Sequence, residues 1–188
     1  MKSICLAVAV CVCSTFSQAQ ASGAGASSHT SGPLTTIASL DVQRYMGTWY
    51  EIAKYPNWFQ KKCIAETKAE YRLQAGNTVQ VINRCRRENG DMEEAIGEAR
   101  QIGPSTSAKL KVRFAPAWLS LLPFVWGDYW VIDLDERYQL VAVAEPKREY
   151  LWVLSRTPKV EPDVYDALLV RLKGQGFDLN RLELTKQQ

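Results

Sequence analysis

Two stretches of this chain alternate apolar and charged side chains with period two. Ala65, Thr67, Ala69, Tyr71 and Leu73 are separated by Glu66, Lys68, Glu70 and Arg72, and Leu110, Val112 and Phe114 by Lys109, Lys111 and Arg113. Successive side chains of a strand point to opposite faces, so each run sends one face to a core and its charges to water. Turn residues punctuate what lies between. Gln74-Ala75-Gly76-Asn77 precedes a returning strand from Thr78 to Arg84, a polar loop from Arg86 to Met92 precedes a weaker strand from Glu93 to Ile102, and Gly103-Pro104-Ser105 turns the chain again. Short strands at near-regular spacing argue for an antiparallel sheet closed into a barrel. Leu140 to Ala144 and Tyr150 to Leu154 are apolar on both faces and need cover on both sides.

A helix supplies that cover. Glu161-Pro162-Asp163-Val164 opens it with Pro and acids in the first turn, Arg171 and Lys173 close it, and Gly174 and Gly176 stop it. Val164, Leu168 and Leu172 make an apolar stripe, broadened by Tyr165 and Leu169. Arg181 to Lys186 adds a final short strand.

The strands are organised around Leu40 to Pro56, where Gly47-Thr48-Trp49 leads from a polar turn into the strand Tyr50 to Tyr55. Gly47 allows positive φ or a close approach, and Trp49 brings a large ring with one polar N–H. This stretch resembles the opening motif of the lipocalins, most closely their bacterial, apolipoprotein D-like branch. Two later stretches match in order: Tyr129 to Leu134 with Asp135, Glu136, Arg137 and Tyr138, then Leu154-Ser155-Arg156-Thr157-Pro158. The second motif departs from the family, reading Leu134-Asp135-Glu136 where Thr-Asp-Tyr is usual. The resemblance implies an all-β fold, an eight-stranded antiparallel up-and-down β-barrel with a C-terminal helix packed outside, spanning residues 37–188. It also implies that Trp49 plugs the closed end and that Arg156 lies across its ring, an arrangement of cation-π attraction and stacking.

Residues 1 to 21 read as a secretory signal, with Lys2, an apolar run from Ile4 to Val12 and an Ala-x-Ala site ending at Ala21. A lipoprotein signal is the competing reading, although Val10 and Val12 stand where a small residue should precede Cys11 or Cys13. Ser22 to Thr36 is a flexible lead-in of small polar residues. Removal of the signal leaves Cys63 and Cys85, at the outer ends of one hairpin, and in an oxidising compartment they suggest one disulfide; two separate buried thiols are the alternative. The expected setting is the periplasm, with association with the outer membrane left open.

Chemistry is constrained by what the chain lacks. The single His is His29, in the lead-in, so the domain has no His for nucleophile activation or proton transfer, and no metal cluster or cofactor motif is expected. The net charge of +3 has both signs interspersed, which gives no case for nucleic acid. The resemblance implies a carrier of a hydrophobic small molecule, a fatty acid or lysophospholipid, acting as a monomer or weak dimer. If Arg156 reaches Trp49 inside the barrel, strand parity turns Trp152 and Leu154 inward; Tyr71, Val112 and Phe114 join them as candidate pocket residues. The loop Ala115 to Trp126 is almost wholly apolar and too short to span a bilayer, so it reads as core, lid or membrane contact. Trp58, Phe59, Trp118, Leu121, Leu122, Phe124 and Trp126 are the expected mouth or membrane-contact residues. An enzyme on the same barrel would need an inward acid or base, and Glu51 is the candidate.

Overall fold

The computed structural model describes residues 32–115, 122 and 125–187. Eight strands follow one another up and down: β1 (Gly47–Lys54), β2 (Ala65–Leu73), β3 (Thr78–Arg86), β4 (Met92–Gln101), β5 (Lys109–Arg113), β6 (Gly127–Leu134), β7 (Leu140–Ala144) and β8 (Leu151–Ser155). Every neighbouring pair is antiparallel, and β1 pairs with both β8 and β2, which closes the sheet into a barrel. A one-turn helix, α1 (Val42–Tyr45), precedes β1; a longer one, α2 (Pro162–Gly174), follows β8; and a two-residue strand, β9 (Glu183–Leu184), pairs with β1.

Two cores result. The inner one joins Trp49, Ala69, Tyr71, Val79, Val81, Ala99, Leu110, Val131, Val141, Val143 and Leu154 within the barrel. The outer one lies under α2, where Leu168, Leu172 and Phe177 cover Ala53, Ile132, Ala142, Leu151 and Val153. All five residues of β7 are buried, as a strand covered on both faces must be. Arg171 also ties the helix to the barrel through a two-pronged ion pair with Asp133, at 2.7 and 3.0 Å. The helix ends where Gly176 takes a φ of 86° and the Phe177 N–H returns to the Leu172 carbonyl, so the turn itself drives Phe177 into the outer core.

Three sequence expectations change. Val164 is exposed, and the buried face of α2 is Leu168 and Leu172 flanked by Tyr165 and Leu169; on a helix Tyr165 lies closer than Val164 to the Leu172 side, so the stripe is centred one residue on. The lead-in docks before its expected end at Thr36: Leu34 is buried in the outer core and the Ile37 N–H donates to the Val131 carbonyl. Arg113, expected in water with Lys109 and Lys111, is only 5% exposed on the outer wall. Glu98 and the Ala115 carbonyl take its Nη atoms, and its guanidinium lies 5.1 Å from the Trp126 ring centroid.

The helix register gives a direct check by denaturant unfolding. Leu168→Ala is expected to cost about 2–5 kcal/mol by opening a cavity. Val164→Ala, on the exposed side, should change stability by less than about 0.5 kcal/mol.

Candidate ligand-binding site

The barrel has one plugged end. Trp49 is 0% exposed, and its Nε1 donates to the Tyr45 carbonyl at 2.9 Å. The Arg156 guanidinium carbon lies 3.9 Å from the centroid of the Trp49 ring. Its three nitrogens donate to the carbonyls of Tyr138, Thr48 and Arg44 at 3.3, 3.0 and 2.8 Å, so one side chain fastens the β6–β7 turn, β1 and α1 together. Burial pulls the Arg156 pKa below the usual guanidinium range, partly offset by Tyr45 and Tyr71. Gly47 has a φ of 97°, and a Cβ there would stand 3.2 Å from Arg156 Nη1; both facts favour glycine. The unusual second motif still makes its closing contacts. Asp135 accepts from the backbone N–H groups of Arg137, Gln139 and Leu140, and the Tyr138 hydroxyl accepts from the Asp41 N–H while Arg44 lies over the Tyr138 ring.

Above the plug sit three tyrosines. The Tyr129 hydroxyl meets those of Tyr45 and Tyr71 at 2.7 and 2.9 Å. Their burial disfavours the phenolates, pushing Tyr45 and Tyr129 well above the usual range and Tyr71 up to about 12. Val112 and Leu154 pack with this inner cluster, Val112 half-buried.

The mouth end carries the polar groups. A bulge between Glu51 and Ala53 lets β1 keep both Glu51 and Lys54 on the face that carries Leu154 and Trp152, their partners on β8. Glu51 is 2% exposed; its carboxylate accepts from Lys54 Nζ at 3.2 Å, Gln60 Nε2 at 2.8 Å and the Thr185 hydroxyl. Gln60 Oε1 in turn accepts from Trp152 Nε1 at 3.0 Å. Trp152 stacks on Tyr150, Phe59 touches both, and Trp58 meets Phe59 edge-on. Trp58 and Phe59 are 71% and 50% exposed, next to the exposed Lys61 and Lys62. The Cys63–Cys85 disulfide fastens the mouth end of the β2–β3 hairpin.

The remaining expected site residues fall in different places. Phe114 is at the rim, exposed, with its ring against Gly97, where a Cβ would come within 2.7 Å of it. Leu122 is exposed; Trp118, Leu121 and Phe124 lie outside the described residues. Trp126 comes just before β6, at the end of the β5–β6 connection, with its ring turned from the barrel interior. It stands buried on the outer wall with Arg100 and Arg113 against its ring, because the register that pairs Val112 with Gly127 sets Trp126 beside Arg113. Sequence reasoning had no signal for the Gln60 and Thr185 contacts of Glu51, which join residues far apart in the chain.

A closed antiparallel barrel plugged at one end, with an apolar inner wall and polar groups gathered at the other, is an architecture that can hold a small molecule. The Lipocalin-like domain matches residues 40–187, nearly the whole described chain. Temperature-induced lipocalin-1 of Arabidopsis thaliana is 40% identical over 156 residues, covering 82% of this chain and 83% of the relative. Outer membrane lipoprotein Blc of Vibrio cholerae is 38% identical, covering 81% and 85%. Among solved structures, the cockroach allergen Per a 4 superposes with a TM-score of 0.64 at 17% identity, covering 84% of this chain and 93% of its own. The chain belongs to the lipocalin family, whose members generally bind small hydrophobic molecules.

The tyrosine cluster sets an alkaline limit. A phenol whose folded pKa is raised contributes stability that is full below its unfolded pKa of about 10 and is lost as pH rises through the folded value. Near-UV titration at about pH 11 should therefore find Tyr45, Tyr71 and Tyr129 still protonated in the folded chain, while stability falls from about pH 10 towards pH 12.

Proposed function

We propose that this lipocalin is exported to the cell envelope and carries an amphiphile with a hydrocarbon tail, a fatty acid or lysophospholipid. The observation that carries the reading is the division of the barrel interior: an apolar wall towards the plugged end, from Val81, Val131 and Val141, and the polar group of Glu51, Lys54 and Gln60 with aromatic rings at the mouth. Such a division suits a ligand whose tail is buried and whose headgroup stays near water. Tail burial contributes about 0.8 kcal/mol per methylene group. The relative named as an outer membrane lipoprotein supports the envelope setting. Glu51 serves this reading better than an enzymatic one, since its carboxylate is engaged by Lys54, Gln60 and Thr185.

Trp58 and Phe59, exposed beside Lys61 and Lys62, favour a second role for the mouth in touching an anionic lipid surface while ligand enters or leaves. Aromatic rings suit the headgroup region, and each lysine near it adds roughly 1 kcal/mol.

Native mass spectrometry of the exported protein, before and after solvent extraction, tests the carrier reading. One fatty acid or lysophospholipid is expected to rebind per chain, with no turnover; rejection of every amphiphile would sink it. The surface role is checked by flotation with phosphatidylglycerol vesicles: W58S/F59S is expected to lose vesicle binding and keep ligand binding.

A further inference from the structure

The seam between β1 and β2 is incomplete. The two strands pair only from Gly47 with Tyr71 to Tyr50 with Lys68. Towards the mouth each is irregular: β1 shifts register against β8 between Glu51 and Ala53, and β2 against β3 between Ala65 and Lys68. Glu66 takes a φ of 52°, a left-handed conformation that a side chain tolerates poorly. Backbone groups on both strands are thereby turned away from each other, and they need partners from elsewhere.

The end of the chain supplies them. After β9 pairs with Ala53 and Lys54, the Thr185 N–H donates to the Ile52 carbonyl at 2.9 Å and the Glu66 N–H donates to the Lys186 carbonyl at 2.8 Å. The Gln187 side-chain amide donates to the carbonyls of Glu51 and Thr67, at 2.7 and 2.9 Å, and so bridges the two strands. Thr185 and Gln187 are half-buried while Leu184 and Lys186 are exposed, the alternation of a strand laid on the barrel wall. Through its hydroxyl Thr185 reaches Glu51, Glu51 holds Gln60, and Gln60 holds the Trp152 indole. A continuous path of polar contacts thus joins the tail to the mouth.

We propose that residues 185–187 are a lateral strap closing the barrel wall between β1 and β2, and that Glu51 is the positioning residue coupling this strap to Gln60 and Trp152. Release of the strap loosens the mouth and speeds ligand exit; this last clause rests on the carrier reading. The strap is built to be releasable. It is held by hydrogen bonds without a large buried apolar side chain, and Thr67, whose carbonyl it engages, has a buried hydroxyl with no hydrogen-bond partner.

Two variants of the full chain separate the parts of the proposal. A chain ending at Leu184 removes the strap but keeps β9; T185V keeps the strap's backbone and cuts its link to Glu51. In the shortened chain, hydrogen exchange of the Glu66 amide should quicken at least about tenfold, and displacement of cis-parinaric acid by excess oleate should quicken about tenfold. T185V should keep Glu66 protected yet shift tryptophan emission, and a W152F background should abolish that shift. Unchanged exchange, emission and dissociation rate would overturn the proposal. If the shortened chain does not fold, T185V decides the coupling by the same emission and dissociation measurements. If the unaltered protein binds no cis-parinaric acid, the carrier reading fails, while Glu66 exchange and Trp152 emission still judge the strap.

Discussion

Strand β1 has to serve three partners and two cores. It pairs with β2 near the plugged end, with β8 from Tyr50 to Lys54 and with β9 near the mouth. Before the bulge at Glu51 it sends Trp49 into the barrel, and beyond it Ala53 and Tyr55 go to the outer core under α2. A regular strand could not do both, since strict alternation keeps all odd residues on one face. The bulge adds the residue that reverses the parity, and the same reversal places Lys54 beside Glu51 within the wall. Plug, helix cover and polar mouth all depend on that one irregularity.

The closed end shows how little apolar area is needed when directional contacts are well placed. Arg156 stacks on Trp49 and donates to three carbonyls from three different segments, so it satisfies backbone groups that the end of a barrel would otherwise strand. A lysine could supply the charge but neither the planar stack nor the fork of donors. Tyr138 extends the same closure on the opposite side, through its hydroxyl and its ring under Arg44. That contact explains how the closure survives the substitution of the usual Thr-Asp-Tyr pattern.

Much of the architecture was legible in the chain because it rests on local rules. Alternation in Ala65–Leu73 and Lys109–Arg113, turn residues at Gly76 and Gly103, and the Pro162 to Gly176 punctuation of the helix each act within a few residues. The candidate site was legible only in part. Trp49 with Arg156 could be paired by family resemblance, and Leu154 with Trp152 by parity from it. Trp126 could not be placed, since its side of the wall depends on the β5–β6 register, and Arg113 looked like a solvated cation because nothing local reveals a partner across the sheet.

The sequence by itself determined which segments are strands, where they turn, that the chain makes a lipocalin barrel and that Cys63 and Cys85 stand at the ends of one hairpin. These follow from periodicity, turn chemistry and motif order, which are properties of neighbouring residues and their succession. Tertiary structure alone decided that Leu34 docks, that Val164 faces water, and that Glu51 ties the chain's end to the mouth. Each of these turns on a register, a bulge or a contact between residues distant in sequence, and the geometry of such contacts exists only once the sheet has closed.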